Sequence, residues 1–156
     1  MADASTSALP ALALDYDFFK LVTGSYAGKV GKPLATDAQD AKWLYCNAPF
    51  ALLAHNAEAD PIFVYANKTA QRCFEYSWDE FITIPSRLSA EAPRREERQR
   101  LLDAVARDGF VSNYRGVRIS KSGRRFWIDG GIVWELNDAS GKRCGQAALF
   151  TSWIDK

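Results

Sequence analysis

Histidine occurs once in this chain, at His55, and cysteine three times, at Cys46, Cys73 and Cys144. A lone histidine leaves a zinc site or a His-based triad without partners at a workable spacing. The cysteines are odd in number, far apart and form no Cys-x-x-Cys pair, so neither a disulfide framework nor a thiolate metal site is indicated. They read as partly buried thiols of a reduced, cytoplasmic protein. No apolar run approaches the ~20 residues that cross a bilayer. Residues 1–10 carry Asp3 and no basic segment, which is not the form of a secretory signal. The formal net charge is only +1, so the basic footprint of a nucleic-acid or anionic-membrane binder is missing, and neither partner is expected. The stretch from Gly24 to Lys32 is rich in glycine and lysine. A phosphate loop is still excluded, because its glycine spacing is wrong and Val30 follows Lys29 where Ser or Thr is required.

What remains is an ordinary globular balance, 47% hydrophobic and 25% charged over 156 residues. That length suits one domain and lets roughly 70% of the unfolded chain's surface be hidden. Residues 1–42 read as an N-terminal helical extension and 43–156 as the compact domain. In the extension, Leu9, Leu12, Leu14, Phe18, Phe19, Leu21 and Val22 form an apolar stripe of helical period. The stripe ends near Gly24, and Gly28 to Pro33 reads as a loop. A short helix from Thr36 towards Cys46 is expected, with Thr36 as cap and Gln39 completing it.

In the domain, Phe50 to Ala54 and Ile62 to Tyr65 read as strands. Asn67 caps a helix reaching Phe74. Ser77-Trp78-Asp79-Glu80 is a capping box, with Tyr76 and Phe81 placed as a hydrophobic staple, and Pro85 stops that helix. Another helix starts at Pro93 and ends at Gly109, with Leu101, Leu102 and Val105 as its apolar face. Val111 to Ser120, Arg125 to Leu136 and Cys144 to Trp153 follow as strands joined by Gly-, Ser- and Asn-rich turns. The order β-β-α-α-α-β-β-β predicts an α+β fold, a five-stranded antiparallel sheet with helices on one face.

The strand Arg125 to Leu136 is expected to place Phe126, Ile128, Ile132, Trp134 and Leu136 on one face. Trp127 and Val133 then occupy the other, which is too apolar for open solvent. A cover is needed. Leu12, Phe18, Phe19 and Val22 of the extension, against Trp127 and Val133, are the expected interface. A docked helical cap and a homodimer or other protein partner both remain open.

The candidate catalytic groups have plainer explanations. Glu80 is accounted for by capping, and Asp79 beside it cannot flank a bond as a glycosidase pair must, ~5 Å or more apart. Arg94, Arg95, Arg98 and Arg100 interleave with Glu96, Glu97 and Asp103 and read as a solvated helix face. His55 reads as a structural residue near a strand end. No enzyme activity, catalytic residue or metal is expected.

The blocks Ala48-Pro49-Phe50, His55, Asp60-Pro61-Ile62-Phe63, Tyr65-Ala66-Asn67 and Ser77-Trp78-Asp79-Glu80-Phe81 occur in that order. Pro85 to Glu91, Arg95 to Arg98, Gly109-Phe110, Tyr114-Arg115-Gly116, Ser122 to Phe126 and Gly145 to Ala148 continue the series. Together, from Trp43 to Trp153, they resemble the PAS superfamily and, more narrowly, the MEKHLA domain, a PAS-like module. The resemblance implies a sensory or protein-interaction role in signalling, with no obligatory cofactor. It also implies that Phe63, Tyr65, Phe74, Phe81, Leu102, Tyr114, Phe126, Ile128 and Trp134 converge on the core or on a small-molecule pocket, beside Ser86.

The layout is similar to flavin-binding light-sensor PAS domains as well. Ser86 stands where those domains carry the cysteine that attacks flavin, and a hydroxyl cannot replace a thiolate. Arg118, Ile128 and Ala147 stand where they carry flavin-contacting amides. A covalent flavin adduct is therefore not expected. Nor is heme, because the Pro93 to Asp108 helix offers no histidine. A small-molecule or flavin carrier without adduct chemistry is the alternative reading.

Overall fold

The computed structural model describes residues 9–90 and 95–156. The first long helix, α1 (Tyr16–Val30), starts at Asp15, whose carboxylate accepts from the Asp17 and Phe18 amides at 2.8 and 3.2 Å. It runs through Gly24 and Gly28 and stops only at Gly31, where φ is +88°. The expected stop at Gly24 and loop from Gly28 are corrected by this. A glycine inside a helix costs about 1 kcal/mol relative to alanine. Both glycines sit on the exposed side. Burial of Val22 and Tyr26 on the other side outweighs them, at roughly 1.5–3 kcal/mol for a large apolar side chain.

Helix α2 (Ala41–Cys46) is capped by Asp40, which accepts from the Trp43 amide at 2.9 Å. The expected cap at Thr36 closes a turn instead. Its amide donates to Gln39 Oε1 at 2.9 Å, and the Gln39 amide donates back to the Thr36 carbonyl at 3.0 Å.

Strands β1 (Ala51–Asn56) and β2 (Phe63–Ala66) pair antiparallel. Helix α3 (Lys68–Phe74) follows, with Asn67 as its cap. The fully buried Asn67 amide group does more than cap. Its oxygen accepts from the Ala70 and Leu52 amides at 3.0 and 3.1 Å, and its nitrogen donates to the Leu44 and Phe50 carbonyls at 3.1 and 3.0 Å. One side chain thus ties α2, β1 and α3 together.

The capping box at α4 (Trp78–Phe81) forms, with the Glu80 amide donating to Ser77 Oγ at 3.2 Å and the Ser77 amide to Glu80 Oε1 at 2.9 Å. The staple rings of Tyr76 and Phe81 meet edge-on at 5.5 Å. Helix α5 (Arg95–Asp108) ends at Gly109, where φ is +90°. Its expected start at Pro93 lies outside the described residues.

The chain closes with β3 (Phe110–Ile119), β4 (Arg125–Asn137), β5 (Arg143–Phe150) and β6 (Ser152–Asp155). The expected last strand breaks at Thr151, so the sheet has six strands rather than five. Their order is β2-β1-β5-β4-β3, with β6 beside the first half of β4 and β5 beside the second, all antiparallel.

Strand β4 contains one extra residue. Gly116 faces Ile128 and Tyr114 faces Gly131, with Arg115 alone between them on β3 but both Asp129 and Gly130 on β4. Gly130 takes φ +69° at this bulge, a conformation that costs glycine little and other residues much. The side-chain alternation flips across it. Phe126 and Ile128 face α3 and α4, packed with Phe74 and Phe81. Ile132, Trp134 and Leu136 face the other way, towards Val22 and Tyr26 of α1. The single face expected for all five is therefore corrected. Val133 moves in the opposite sense, from the expected outer interface to the inner side.

The outer face is covered by the chain's own α1. Trp134 is 0% exposed, and its Nε1 donates to the Val22 carbonyl at 3.3 Å. The Tyr26 ring stands edge-on to its indole at 4.8 Å. Leu12, Phe18 and Phe19 pack into the same cluster, with Phe18 5.0 Å from the Tyr65 ring. Trp127 lies on the outer side further along β4, between Val117 and Ile154, and its ring carries the Arg115 guanidinium at 4.1 Å.

Truncating Trp134 to alanine is expected to destabilise the fold by about 3–5 kcal/mol, the usual cost of removing a buried aromatic. Urea unfolding followed by circular dichroism measures it. A cost under ~1 kcal/mol would mean that α1 does not dock on this face.

Candidate functional site

Between α5 and the inner face of the sheet lies a cavity of about 60 Å³. Its apolar wall comes from Leu53 of β1, Phe63 of β2, Phe74 of α3, Leu102 of α5, Ile128 and Val133 of β4, and Phe150 of β5. Its polar wall is His55, Arg98, Tyr114, Arg118 and Gln146.

Each polar group is placed by ordinary periodicity. Leu53 and His55 are two apart on β1, and their partners on β5 are Ala148 and Gln146, so all four share the inner face. Arg118 sits opposite Phe126, next but one to Gly116. Arg98 precedes Leu101 and Leu102 by three and four residues, which puts all three on one face of α5. Tyr114 folds back over Gly116. A side chain at that position would have its Cβ 2.1 Å from the tyrosine Oη, so only glycine leaves the ring room.

The charge in this wall is of one sign. Arg98 and Arg118 are 6% and 9% exposed. Arg98 donates to Ser86 Oγ, and Arg118 donates to the Val117 carbonyl at 3.0 Å. Among the described residues no carboxylate forms an ion pair with either. Burial, then repulsion from Arg118, draws the Arg98 pKa down to about 10. Burial also lowers His55, to about 4, with Arg98 and Arg143 adding to the effect. His55 Nδ1 lies 2.8 Å from the Asn56 carbonyl, so the neutral ring carries its proton there and presents Nε2 as an acceptor. Gln146 donates from Nε2 to Glu135 Oε1 at 2.6 Å and to the Leu102 carbonyl at 3.3 Å. His55 Nε2, Gln146 Oε1 and Tyr114 Oη are buried with no partner. Glu135, paired with Gln146 across β4 and β5, is held by Gln146 and by Arg143 at 2.5 Å.

Of the residues expected at a pocket, Phe63, Phe74, Leu102, Tyr114 and Ile128 line this cavity. Phe81 and Phe126 stand behind it, their rings 5.6 and 5.2 Å from that of Phe74. Ser86 reaches it only through Arg98. Tyr65 and Trp134 do not belong to it. Tyr65 pairs with Ala54, which alternates with Leu53 and so faces outwards, and Trp134 lies beyond the bulge. Arg98, expected on a solvated face, is buried. Its signal was the spacing to Leu101 and Leu102, masked by the charged residues around it. Arg118, Ile128 and Ala147, the positions singled out by the light-sensor comparison, all border the cavity. Among the described residues, no cluster of His, Cys, Asp or Glu is arranged to hold a metal.

The MEKHLA domain family model matches residues 16–155. No curated protein matches the sequence. Among solved structures, the chain is similar to the PAS domain of a protein from Colwellia psychrerythraea. The TM-score is 0.60 at 16% identity, covering 72% of this chain and 90% of that one. It is also similar to a blue-light activated histidine kinase of Erythrobacter litoralis, with TM-score 0.57 and 18% identity over 72% of this chain but only 34% of that one. The dark structure of the Aureochrome1 LOV domain gives TM-score 0.51 at 19% identity, covering 68% and 73%. These likenesses establish a PAS-type fold.

His55 sets a pH dependence of known sign. The unfolded chain protonates it at 6.5, whereas the folded chain holds it neutral down to about 4. Its contribution is therefore complete above pH 6.5 and is lost as the pH falls towards 4. Between pH 7 and 5 the loss is on the order of 2 kcal/mol. Urea unfolding of the wild type and His55→Gln at both pH values isolates it. Equal slopes in the two proteins would contradict the assignment.

Proposed function

The chain belongs to the MEKHLA domain family, and we propose that it is a sensory module of PAS type in which occupancy of the inner cavity sets how α1 docks on the outer face. The observation that carries this is the two-sided use of β4 and β5. Val133, Gln146 and Ala148 border the cavity, their neighbour Trp134 lies in the cluster beneath α1, and Ala147 and Leu149 belong to both. A molecule that shifts the backbone of either strand acts on both faces at once. It moves the equilibrium only as far as it binds the two arrangements unequally.

The output is a protein contact. Leu14 and Tyr16, at the start of α1, are 49% and 66% exposed. They offer a second copy of the chain or another protein a surface whose position depends on α1. The known relatives of this fold include sensor kinase and photoreceptor domains, in keeping with such a role.

We assign the module no catalysis. The Ser86 hydroxyl accepts from Arg98, and burial raises the Cys73 thiol to about 12, out of nucleophilic range. Flavin carriage is the weaker reading. Sites for ligands of drug size run to roughly 300–1,000 Å³, and the cavity has about 60 Å³.

Filling the cavity from within tests the coupling. Ala148 lies between Leu53 and Val133 on the inner face. Ala148→Leu is expected to change hydrogen exchange of the α1 amides by about fivefold or more, the equivalent of ~1 kcal/mol in local opening. The α3 amides, tied by Asn67, serve as the control. Unaltered α1 exchange in a folded, filled protein would remove the proposal. Sedimentation of the same pair reads the oligomeric state.

A further inference from the structure

We propose that the cavity binds a short organic hydroxycarboxylate, its carboxylate against Arg98 and Arg118 and its hydroxyl towards His55 and Gln146. This rests on the preceding reading that the cavity is a ligand site, and it names the chemistry of the ligand.

The sign of charge comes first. Two guanidinium groups are buried in one small wall, and burying a charge is costly unless it is paired. Their bonds to protein go to neutral oxygens, Ser86 Oγ and the Val117 carbonyl. Among the described residues the acids Glu135, Asp60 and Glu75 have other ion-pair partners, although Asp60 still favours the Arg98 charge. Glu135 is bound to Arg143 and Gln146, Asp60 to Arg87, and Glu75 to Ser120 and Arg124. Burial, then repulsion from Arg118, lowers the Arg98 pKa even though Tyr114 and Asp60 act the other way. An anion between the two guanidinium groups relieves that repulsion. A guanidinium matches a carboxylate in shape as well as charge, through paired N–H donors. Tyr114, whose hydroxyl is buried without a partner, has a further proton to give such an anion.

The acceptors in the wall ask for the opposite. His55 Nε2 and Gln146 Oε1 are both acceptors, both buried and unpartnered, and stand on directly paired residues of β1 and β5. They need a donor. An ammonium group would bring a third positive charge beside two arginines, so the donor is a neutral hydroxyl. The apolar part of the wall, with Leu53, Leu102 and Ile128, suits a short hydrocarbon body. The cavity's size holds that body to a few carbons.

Calorimetry on the 156-residue chain with paired probes decides the matter. Acetate, propionate and butyrate are compared with glycolate, lactate and β-hydroxybutyrate, and with propionamide and butyramide as uncharged analogues. Binding of at least one carboxylate is expected, tighter for its hydroxylated partner and at least about tenfold weaker for the amide. Arg98→Gln and Arg118→Gln are each expected to weaken the carboxylate about tenfold or more while leaving the amide unchanged. If one variant fails to fold, the other and the wild-type probe series still decide.

Amides binding as well as carboxylates would overturn the anion assignment and leave the cavity reading intact. Equal affinity with and without the hydroxyl would overturn the second half. If every probe fails, native mass spectrometry of the purified chain separates the causes. A neutral co-purified molecule would sink this inference alone, whereas an empty protein would sink the ligand-site reading with it.

Discussion

The extra residue that β4 inserts at Gly130 decides what each side of the sheet is made of. Without it, strict alternation from Ile128 would turn Trp134 inwards and Val133 outwards. The indole would then fill the space between α5 and the sheet, and α1 would meet a valine where it now finds a tryptophan nitrogen to accept from. With it, the largest side chain of the strand is spent on the outer face and small ones, Val133 and Gly131, border the hollow. The hollow and the docked helix are two results of one backbone irregularity. The Gly130-Gly131 pair that makes it is local, but its consequences reach every residue from Ile132 to Leu136.

Signals that act over a few residues were legible in the sequence. The Ser77–Glu80 box, the Asn67 cap, the Tyr76–Phe81 staple and the antiparallel order all rest on contacts within one turn or one hairpin. What was not legible depends on partners distant in sequence. Helix α1 passes through two glycines because Val22 and Tyr26 find a surface more than a hundred residues away, as the Ser25 hydroxyl donating to the Asn137 carbonyl illustrates. The face of Trp134 could not be read without the bulge, since an alternating pattern looks the same on either side of an inserted residue. A Gly-Gly step inside an apolar strand is the one hint of it. Arg98 was hidden by composition. A helix rich in charge reads as solvated, and only its register with Leu101 and Leu102 marks one arginine as facing inwards.

A hollow in a core is a standing cost, because the side chains around it lose contacts on one side. A purely apolar hollow can persist dry or shrink in part as neighbours such as Leu102 or Ile128 relax. The polar wall resists such shrinkage. Drawing Arg98, Arg118, His55 and Gln146 together would press two guanidinium groups towards each other and leave two acceptors facing without a proton between them. Closing the cavity therefore carries an electrostatic cost as well as a steric one.

On the proposed reading, that arrangement governs how the site would discriminate. Shape alone separates ligands that differ by a methylene by a factor of about 10–200. A wall of buried groups with unmet bonding capacity separates them far more sharply, because an ill-matched ligand leaves each group desolvated and unpaired. In this chain the unmet groups are ordered in space, donors carried by α5 and β3 and acceptors by β1 and β5. A ligand that satisfied both sets of groups would bond to the helix and to the sheet together. On the proposed reading such a ligand would draw α5 towards β1 and β5, the strands that also carry part of the α1 contact, so recognition and response would share one backbone.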